Sequence, residues 1–237
     1  MIAPDHPLVW ATVFVTGTVI GSFLNVVIYR WPRAESIVKP PSHCGSCGAR
    51  LRVPDLLPVL SYVLLRGRCR HCGHSYSPRY AVVELTTGLL AVGSLHQFGP
   101  TVGAVAAFVV CCSLLLAFFI DLDHMIIPDE LIWIIALIGV GWNVWALVHA
   151  GVTDGAGTTY ALGFTQRLGE SVRTLWLPSS LVGLALGGGA FWFLSAVFER
   201  LMGKPVLGFG DVKLAAAMGA LLGPGYAFVA WFLISGH

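Results

Sequence analysis

Apolar positions along the chain gather into six long runs: Leu8 to Tyr29, Tyr80 to Leu95, Thr101 to Ile120, Leu131 to Ala150, Ser179 to Phe198 and about Val212 to Ile234. Around 20 such residues, wound as a helix rising about 1.5 Å per residue, cross a hydrocarbon core of about 30 Å. The pattern predicts an all-α polytopic membrane protein with about six transmembrane helices. Between the first two runs lies a polar stretch, 30–79, rich in Pro, Arg and Gly. It is too short to hold a fold together by an apolar core alone and needs a staple.

Composition agrees with a lipid environment. Of the 237 residues 56% are hydrophobic and 11% charged, with a mean hydropathy of +0.79; soluble domains carry about 25% charged residues. Helices in lipid associate through small residues and a few polar contacts. Gly17 to Ser22 in the first run and Gly183, Gly187, Gly188 and Gly189 in the fifth supply such faces. Asn25, a buried amide, is read as a helix-to-helix hydrogen bond ahead of a substrate or cofactor contact. No repeat and no low-complexity segment is visible.

The formal net charge of +2 matters less than where the charges lie. Nine of the 14 Lys and Arg fall in one segment, from Arg30 and Arg33 through Lys39 to Arg79. Such clustering could mark nucleic-acid binding, but between spanning helices the positive-inside rule is the better account, and no nucleic-acid partner is expected. Met1 to Val9 has no Lys or Arg, so the first run reads as a retained signal anchor with its N-terminus outside. The loop then lies in the cytoplasm. The stretch Gly151 to Leu177, with Arg167 and Arg173, reads as an outside loop with room for an interfacial segment.

Two C-x-x-C-G turns provide the staple. Cys44 and Cys47, then Cys69 and Cys72, with 21 residues between the pairs, match a tetrahedral four-thiolate zinc site. Disulfides or a redox pair are the alternatives; a cytoplasmic location and the matched pair of turns disfavour both. His43, His71 and His74 are spare donors, read as solvated or supporting. A closed four-ligand site is structural, so the metal is not assigned to catalysis. Cys111 and Cys112 read as packing residues.

Acids at the ends of apolar runs are the remaining chemistry. Asp121 closes the third run, where a carboxylate faces the negative end of the helix dipole. Asp123, Asp129 and Glu130 follow. Asp211, in Gly208-Phe209-Gly210-Asp211-Val212-Lys213, opens the sixth run. Counting spans from an outside N-terminus puts Asp121 and Asp211 at the same depth on the cytoplasmic side, as a dyad at the water–lipid boundary. Paired carboxylates share a proton, one activating water while the other protonates the substrate. Helix capping is the plainer account of Asp129, and of Asp211 taken alone. Glu84 is read as a snorkelling side chain or a partner of Arg79. Gly208 and Gly210 would let an extended substrate approach the backbone.

The chain resembles the type IV prepilin peptidases, the prepilin leader peptidase/N-methyltransferase family of membrane aspartic proteases with a G-x-G-D motif. The likeness runs through Gly21 to Arg30, the paired C-x-x-C turns, Arg79 to Gly88, Asp121 to Asp129 and Gly208 to Lys213. It implies a bacterial inner-membrane enzyme that removes the basic leader of prepilins and pseudopilins after a glycine on the cytoplasmic side, with Asp121 and Asp211 as its catalytic pair. The division that follows is a first transmembrane helix over 1–29, a zinc-binding domain over 30–79 and a membrane peptidase domain over 80–237. The family often also methylates the new N-terminal amine with S-adenosylmethionine; here that rests on the resemblance alone. Asp123, Asp129 and Glu130 are expected to attract the leader's basic residues, with Lys213 as a further supporting residue. Family members usually carry about two more helices after the sixth, whereas this sequence stops at Ser235-Gly236-His237. A different class of function, a zinc-stapled transporter or assembly factor using the acids as ion or proton sites, would need them deep in the bundle. A purely structural subunit leaves two acids on the same side unexplained.

Overall fold

The computed structural model describes residues 6–150, 159–161, 176–202 and 208–234. Six long helices occupy the six apolar runs: α1 (Pro7–Arg30), α3 (Arg79–Phe98), α4 (Val102–His124), α5 (Asp129–Ala150), α6 (Ser179–Met202) and α7 (Phe209–Ile234). A short α2 (Leu60–Leu64) lies in the polar stretch. Among the described residues three segments, Pro7–Arg33, Val102–His124 and Ser180–Leu201, are long and apolar enough to cross a membrane.

The region expected to be an outside loop carries a short antiparallel pair, β1 (Thr159–Ala161) with β2 (Trp176–Pro178), in which Tyr160 is in register with Leu177. Arg167 and Arg173 lie outside the described residues, as do Ser235, Gly236 and His237.

The chain forms two compact units, 1–125 and 126–237. In the first, α1 packs on α3 through its small residues and also touches α4. A Cβ at Gly17 would meet Ala91 Cβ and Gly88 Cα at 2.8 Å, and one at Gly21 would lie 2.7 Å from Glu84 Cα, so the two backbones touch. Asn25 spans this contact as expected, its Nδ2 donating to the Tyr80 carbonyl at 3.0 Å. Val83, Thr87 and Ile120 are fully buried there. Pro78 precedes the first residue of α3, and Gly99, at φ +65°, ends that helix.

In the second unit α6 and α7 are pressed together over their glycines. Gly183 abuts the Gly219 backbone, a Cβ at Gly187 would sit 2.5 Å from the Ala215 carbonyl oxygen, and one at Gly188 would reach Ala216 Cβ at 2.8 Å. Gly189 faces open space and takes no part. α5 lies against α7, with Gly139 against Leu221. α7 is bent at Gly223 (φ +75°, ψ +175°), because the following Pro224 disfavours a helical conformation in the residue before it.

Candidate functional site

The four cysteines of the polar stretch come together. Each C-x-x-C-G turn folds the same way. Gly48 N–H donates to the Cys44 carbonyl and Cys44 N–H to that of Ala49, both at 2.9 Å. Gly73 and Cys69 repeat the pattern with Cys69 and His74 at 2.9 and 2.8 Å. The glycines sit at φ +70° and +71°, a left-handed conformation that costs a residue with a Cβ about 1 kcal/mol or more. Short bridges, His43 to Arg50 and Arg68 to Ser75, close each turn.

The four Sγ atoms lie within 4.8 Å of one another, with Cys44 and Cys72 at 3.9 Å. Four thiolates about 2.3 Å from a central zinc stand about 3.8 Å apart, so the donor set and its spacing fit one tetrahedral ion. Backbone N–H groups of Cys47 and Ser46 aim at the Cys44 sulfur and pull its pKa down to about 6. The Ala49 N–H favours the Cys47 thiolate, but desolvation and the neighbouring sulfurs push that group up to about 11. One thiolate thus forms readily and the next resists; a bound cation removes that conflict. His43 is exposed, with Nδ1 3.2 Å from the Pro41 carbonyl, and none of the three nearby histidines joins the cluster.

Asp55 ties this centre to the rest of the stretch. Its Oδ2 accepts the Arg52 N–H at 3.1 Å and its Oδ1 accepts Arg70 Nε at 2.8 Å. Arg70 stands between the two cysteines of the second turn, and the Asp55 side chain is only 5% exposed. The Arg52 N–H first, and then Arg70, hold its carboxyl below the usual carboxylate range.

The candidate acids sit in the terminal turns of two helices, one in each unit. α4 continues through Asp121 to His124, where Met125 turns left-handed at φ +53° and donates its N–H to the Asp121 carbonyl at 2.8 Å. Asp121 is exposed. Asp123, two residues on, already has a cationic partner: both its oxygens accept Arg79 NH1, at 2.7 and 2.8 Å. Arg79 also donates NH2 to the Phe119 carbonyl at 2.9 Å and lies over the Phe119 ring, 4.6 Å from its centroid.

The expected pairing of Arg79 with Glu84 is therefore wrong. Five residues along a helix turn about 140°, so the two side chains leave on different faces. Glu84 is buried, and its Oε2 accepts the Val59 N–H at 2.8 Å.

α7 begins at Phe209, which puts Asp211 in its first turn and not at the cap position. Its N–H donates to the Gly208 carbonyl at 3.1 Å, and a Cβ on Gly208 would lie 3.3 Å from Asp211 Oδ2. Gly210 is less constrained: a Cβ there would meet Ile127 at an ordinary 3.5 Å. Lys213 Nζ donates to both oxygens of Asp129, at 2.7 and 2.9 Å, and stands 5.1 Å from the centre of the Phe209 ring. Asp129 opens α5, where its charge suits the helix dipole, and its carboxylate pairs with Lys213. Of the three acids expected to meet a basic leader, Glu130 alone lacks such an ion pair among the described residues, and it is exposed. Beside the Lys213–Asp129 pair opens a cleft of about 270 Å³, walled by Ile132, Trp133 and Ala136 of α5, Leu184 of α6 and Ala216 and Ala217 of α7.

Arg79 and its hold on Asp123 escaped the sequence reading. The i to i+5 spacing of Arg79 and Glu84 already argued against their pairing, but nothing in the sequence pointed to residue 123.

Two family descriptions match the chain. One, the bacterial peptidase A24 N-terminal domain, matches residues 15–98, and the other, the type IV leader peptidase family, matches residues 108–236. A prepilin leader peptidase/N-methyltransferase of Burkholderia pseudomallei (strain 1026b) is 34% identical over 238 residues, covering 90% of this chain and 69% of that one. A protein of the same description from Klebsiella pneumoniae is 33% identical, covering 93% and 89%. The one from Myxococcus xanthus is 37% identical over 91% of this chain but only 57% of its own length. No solved structure matches the chain significantly.

Proposed function

Because the chain belongs to the type IV leader peptidase family, we propose that it is a membrane aspartic endopeptidase that cuts the basic leader from type IV prepilins and pseudopilins, after a glycine and on the cytoplasmic side. The observation that carries the assignment of residues is a repeated local design. Asp121 lies two residues before Asp123, which Arg79 grips with one nitrogen on both oxygens; Asp211 lies two residues before Lys213, which does the same to Asp129. Each candidate acid stands in a helical turn fixed by a neighbour's ion pair.

The reaction follows from two carboxylates that share one proton. The ionised member draws a proton from water, whose oxygen attacks the scissile carbonyl carbon, and the protonated member gives its proton to the carbonyl oxygen. Collapse of the tetrahedral species breaks the C–N bond: the amine leaves with a proton returned from the first carboxyl, and the second carboxylate recovers a proton from a hydroxyl of the gem-diol as the C=O re-forms. Asp121 and Asp211 are the pair we assign. Gly208 supports Asp211 by leaving room for its carboxylate. Arg79, through Asp123, holds the turn that carries Asp121.

Cys44, Cys47, Cys69 and Cys72 would hold zinc, which would neutralise the thiolates and brace the cytoplasmic loop. The six long helices are read as six spans with the N-terminus outside, in the bacterial inner membrane. Methylation of the new N-terminal amine from S-adenosylmethionine is part of the proposal because the relatives carry that description. A transporter or assembly factor is not favoured, since both acids sit at helix ends.

The test is cleavage of a prepilin with a basic, glycine-ended leader by the chain in membranes, beside Asp121→Asn and Asp211→Asn. Removing one member of an acid–base pair is expected to cost at least about 100-fold in rate, with zinc content unchanged. Full activity in either variant would remove that residue from the pair.

A further inference from the structure

Between the first metal turn and α3 the chain forms a strap, Val53 to Leu64, secured at two points. Asp55 fastens it to the second metal turn through Arg70, and the Val59 N–H fastens it to Glu84. Val59 itself is bent into a positive-φ γ-turn (φ +61°, ψ −48°), with Leu60 N–H donating across it to the Pro58 carbonyl. For a β-branched residue that conformation is strained and persists only where its surroundings hold it. At this turn the Val59 N–H donates to the Glu84 carboxylate.

That contact sets the depth of the strap. Glu84 Cα lies level with Gly21, nine residues or about 13 Å before Arg30 in a helix of membrane-crossing length. Val59 is one carboxyl side chain away from that level. An acid so far in is costly, and the bond this one makes holds the strap against the helix.

One face of α2 is committed inward. Ser61 is buried, and Tyr62 stacks edge-on with Tyr76, which does the same with Tyr80 at the start of α3. The other face is bare: Leu60, Val63 and Leu64 are 60, 64 and 76% exposed. Arg52 before the strap and Arg66 and Arg68 after it are exposed as well. An apolar face flanked by cations, at the end of a spanning helix, has the chemistry of an interfacial membrane segment.

We propose that the strap beds in the membrane interface, with Leu60, Val63 and Leu64 among the acyl chains and Arg52, Arg66 and Arg68 against anionic lipid phosphates. It thereby ties the metal centre to the bilayer surface through Asp55 and Arg70. The proposal needs only that α1 crosses the membrane, and it stands or falls apart from the peptidase reading.

The full chain would be reconstituted in vesicles of phosphatidylethanolamine and phosphatidylglycerol, with the photoreactive p-benzoylphenylalanine placed singly at Leu60, Leu64 or the exposed Ser46 of the first metal turn. Metal content equal to the parent's qualifies each variant. After irradiation, covalent phospholipid adducts read by mass spectrometry are expected at positions 60 and 64 at least tenfold above position 46. Combining the label at 64 with Arg66→Glu and Arg68→Glu should lower the phosphatidylglycerol share of the adducts. Lipid adducts at 60 and 64 no more frequent than at 46, or adducts there to another segment of protein, would overturn the proposal.

Discussion

Arg79, the first residue of α3, grips both carboxylate oxygens of Asp123 in the last turn of α4 and also bonds the Phe119 carbonyl. Asp121 lies between those two attachment points. An ion pair this accessible adds about 1 kcal/mol or less to stability. On the proposed assignment of Asp121 its value lies in geometry, because small misplacements of a reacting group cost up to about 100-fold in rate.

Arg79→Ala is therefore expected to lower the rate of prepilin cleavage by at least tenfold while KM and metal content hold. Arg79→Lys keeps the charge but loses the second nitrogen and the ring contact, and should recover only part of it. Unchanged kcat in Arg79→Ala would dismiss the positioning role.

Gly208 and Gly210 separate a steric requirement from a merely permissive one. A methyl at 208 would press on Asp211 Oδ2 at 3.3 Å, whereas one at 210 finds ordinary contact with Ile127 at 3.5 Å. Gly208→Ala should cut kcat by about tenfold or more, in line with the cost of misplacing a catalytic group. Gly210→Ala should stay within about twofold, since a helical glycine replaced by alanine at an uncrowded site is not destabilising.

Metal removal should unfold the loop and leave the membrane helices intact. Cys44→Ser, or treatment with a chelator, is expected to release one equivalent of zinc per chain and to expose 42–75 to protease, because the loop has little apolar core of its own. Cys111→Ser, in the middle of α4, should retain the metal. Equal metal loss in both variants would place the ion elsewhere.

The Asp55 carboxylate makes a pH-dependent contribution whose sign follows from its lowered pKa. A carboxyl held below its unfolded value stabilises the folded state above that value, and the benefit is lost as the pH falls through the folded one. Asp55→Asn should cost about 1–3 kcal/mol in loop stability, the scale of charge-assisted hydrogen bonds. The gap between parent and variant in thermal melting should be equal at pH 7 and pH 5, where the carboxylate is ionised throughout. A gap that narrows already in that interval would mean that the thiolate centre, and not Asp55, sets the difference.

Crowding at α6 predicts opposite outcomes for neighbouring glycines. Gly187→Leu would drive a side chain into the Ala215 carbonyl and should lower the melting temperature of the second unit or prevent its assembly, while Gly189→Ala meets nothing within 4 Å and should be neutral. Equal tolerance at both positions, measured by thermal unfolding in detergent, would contradict the α6–α7 packing.

By itself the sequence determined the positions of the six helices, because stretches of about 20 apolar residues have one economical way to satisfy their backbone in lipid. It determined the two C-x-x-C-G turns too, since their geometry is written into consecutive residues, and the two glycines take matching positive φ. Gly183 and Gly187 likewise announced a close helix contact, and Asn25 a hydrogen bond between helices. Which charges neutralise one another was decided by tertiary structure alone. Asp123 and Asp129 looked free to attract a basic leader, yet Arg79 lies 44 residues before the first and Lys213 84 residues after the second. Such pairs form only when helices distant in sequence pack side by side, and no local spacing records that. Glu84 shows the same physics: its partner is a backbone N–H released by a strained turn 25 residues earlier. Charge and hydropathy are properties of residues, whereas partnership is a property of the fold.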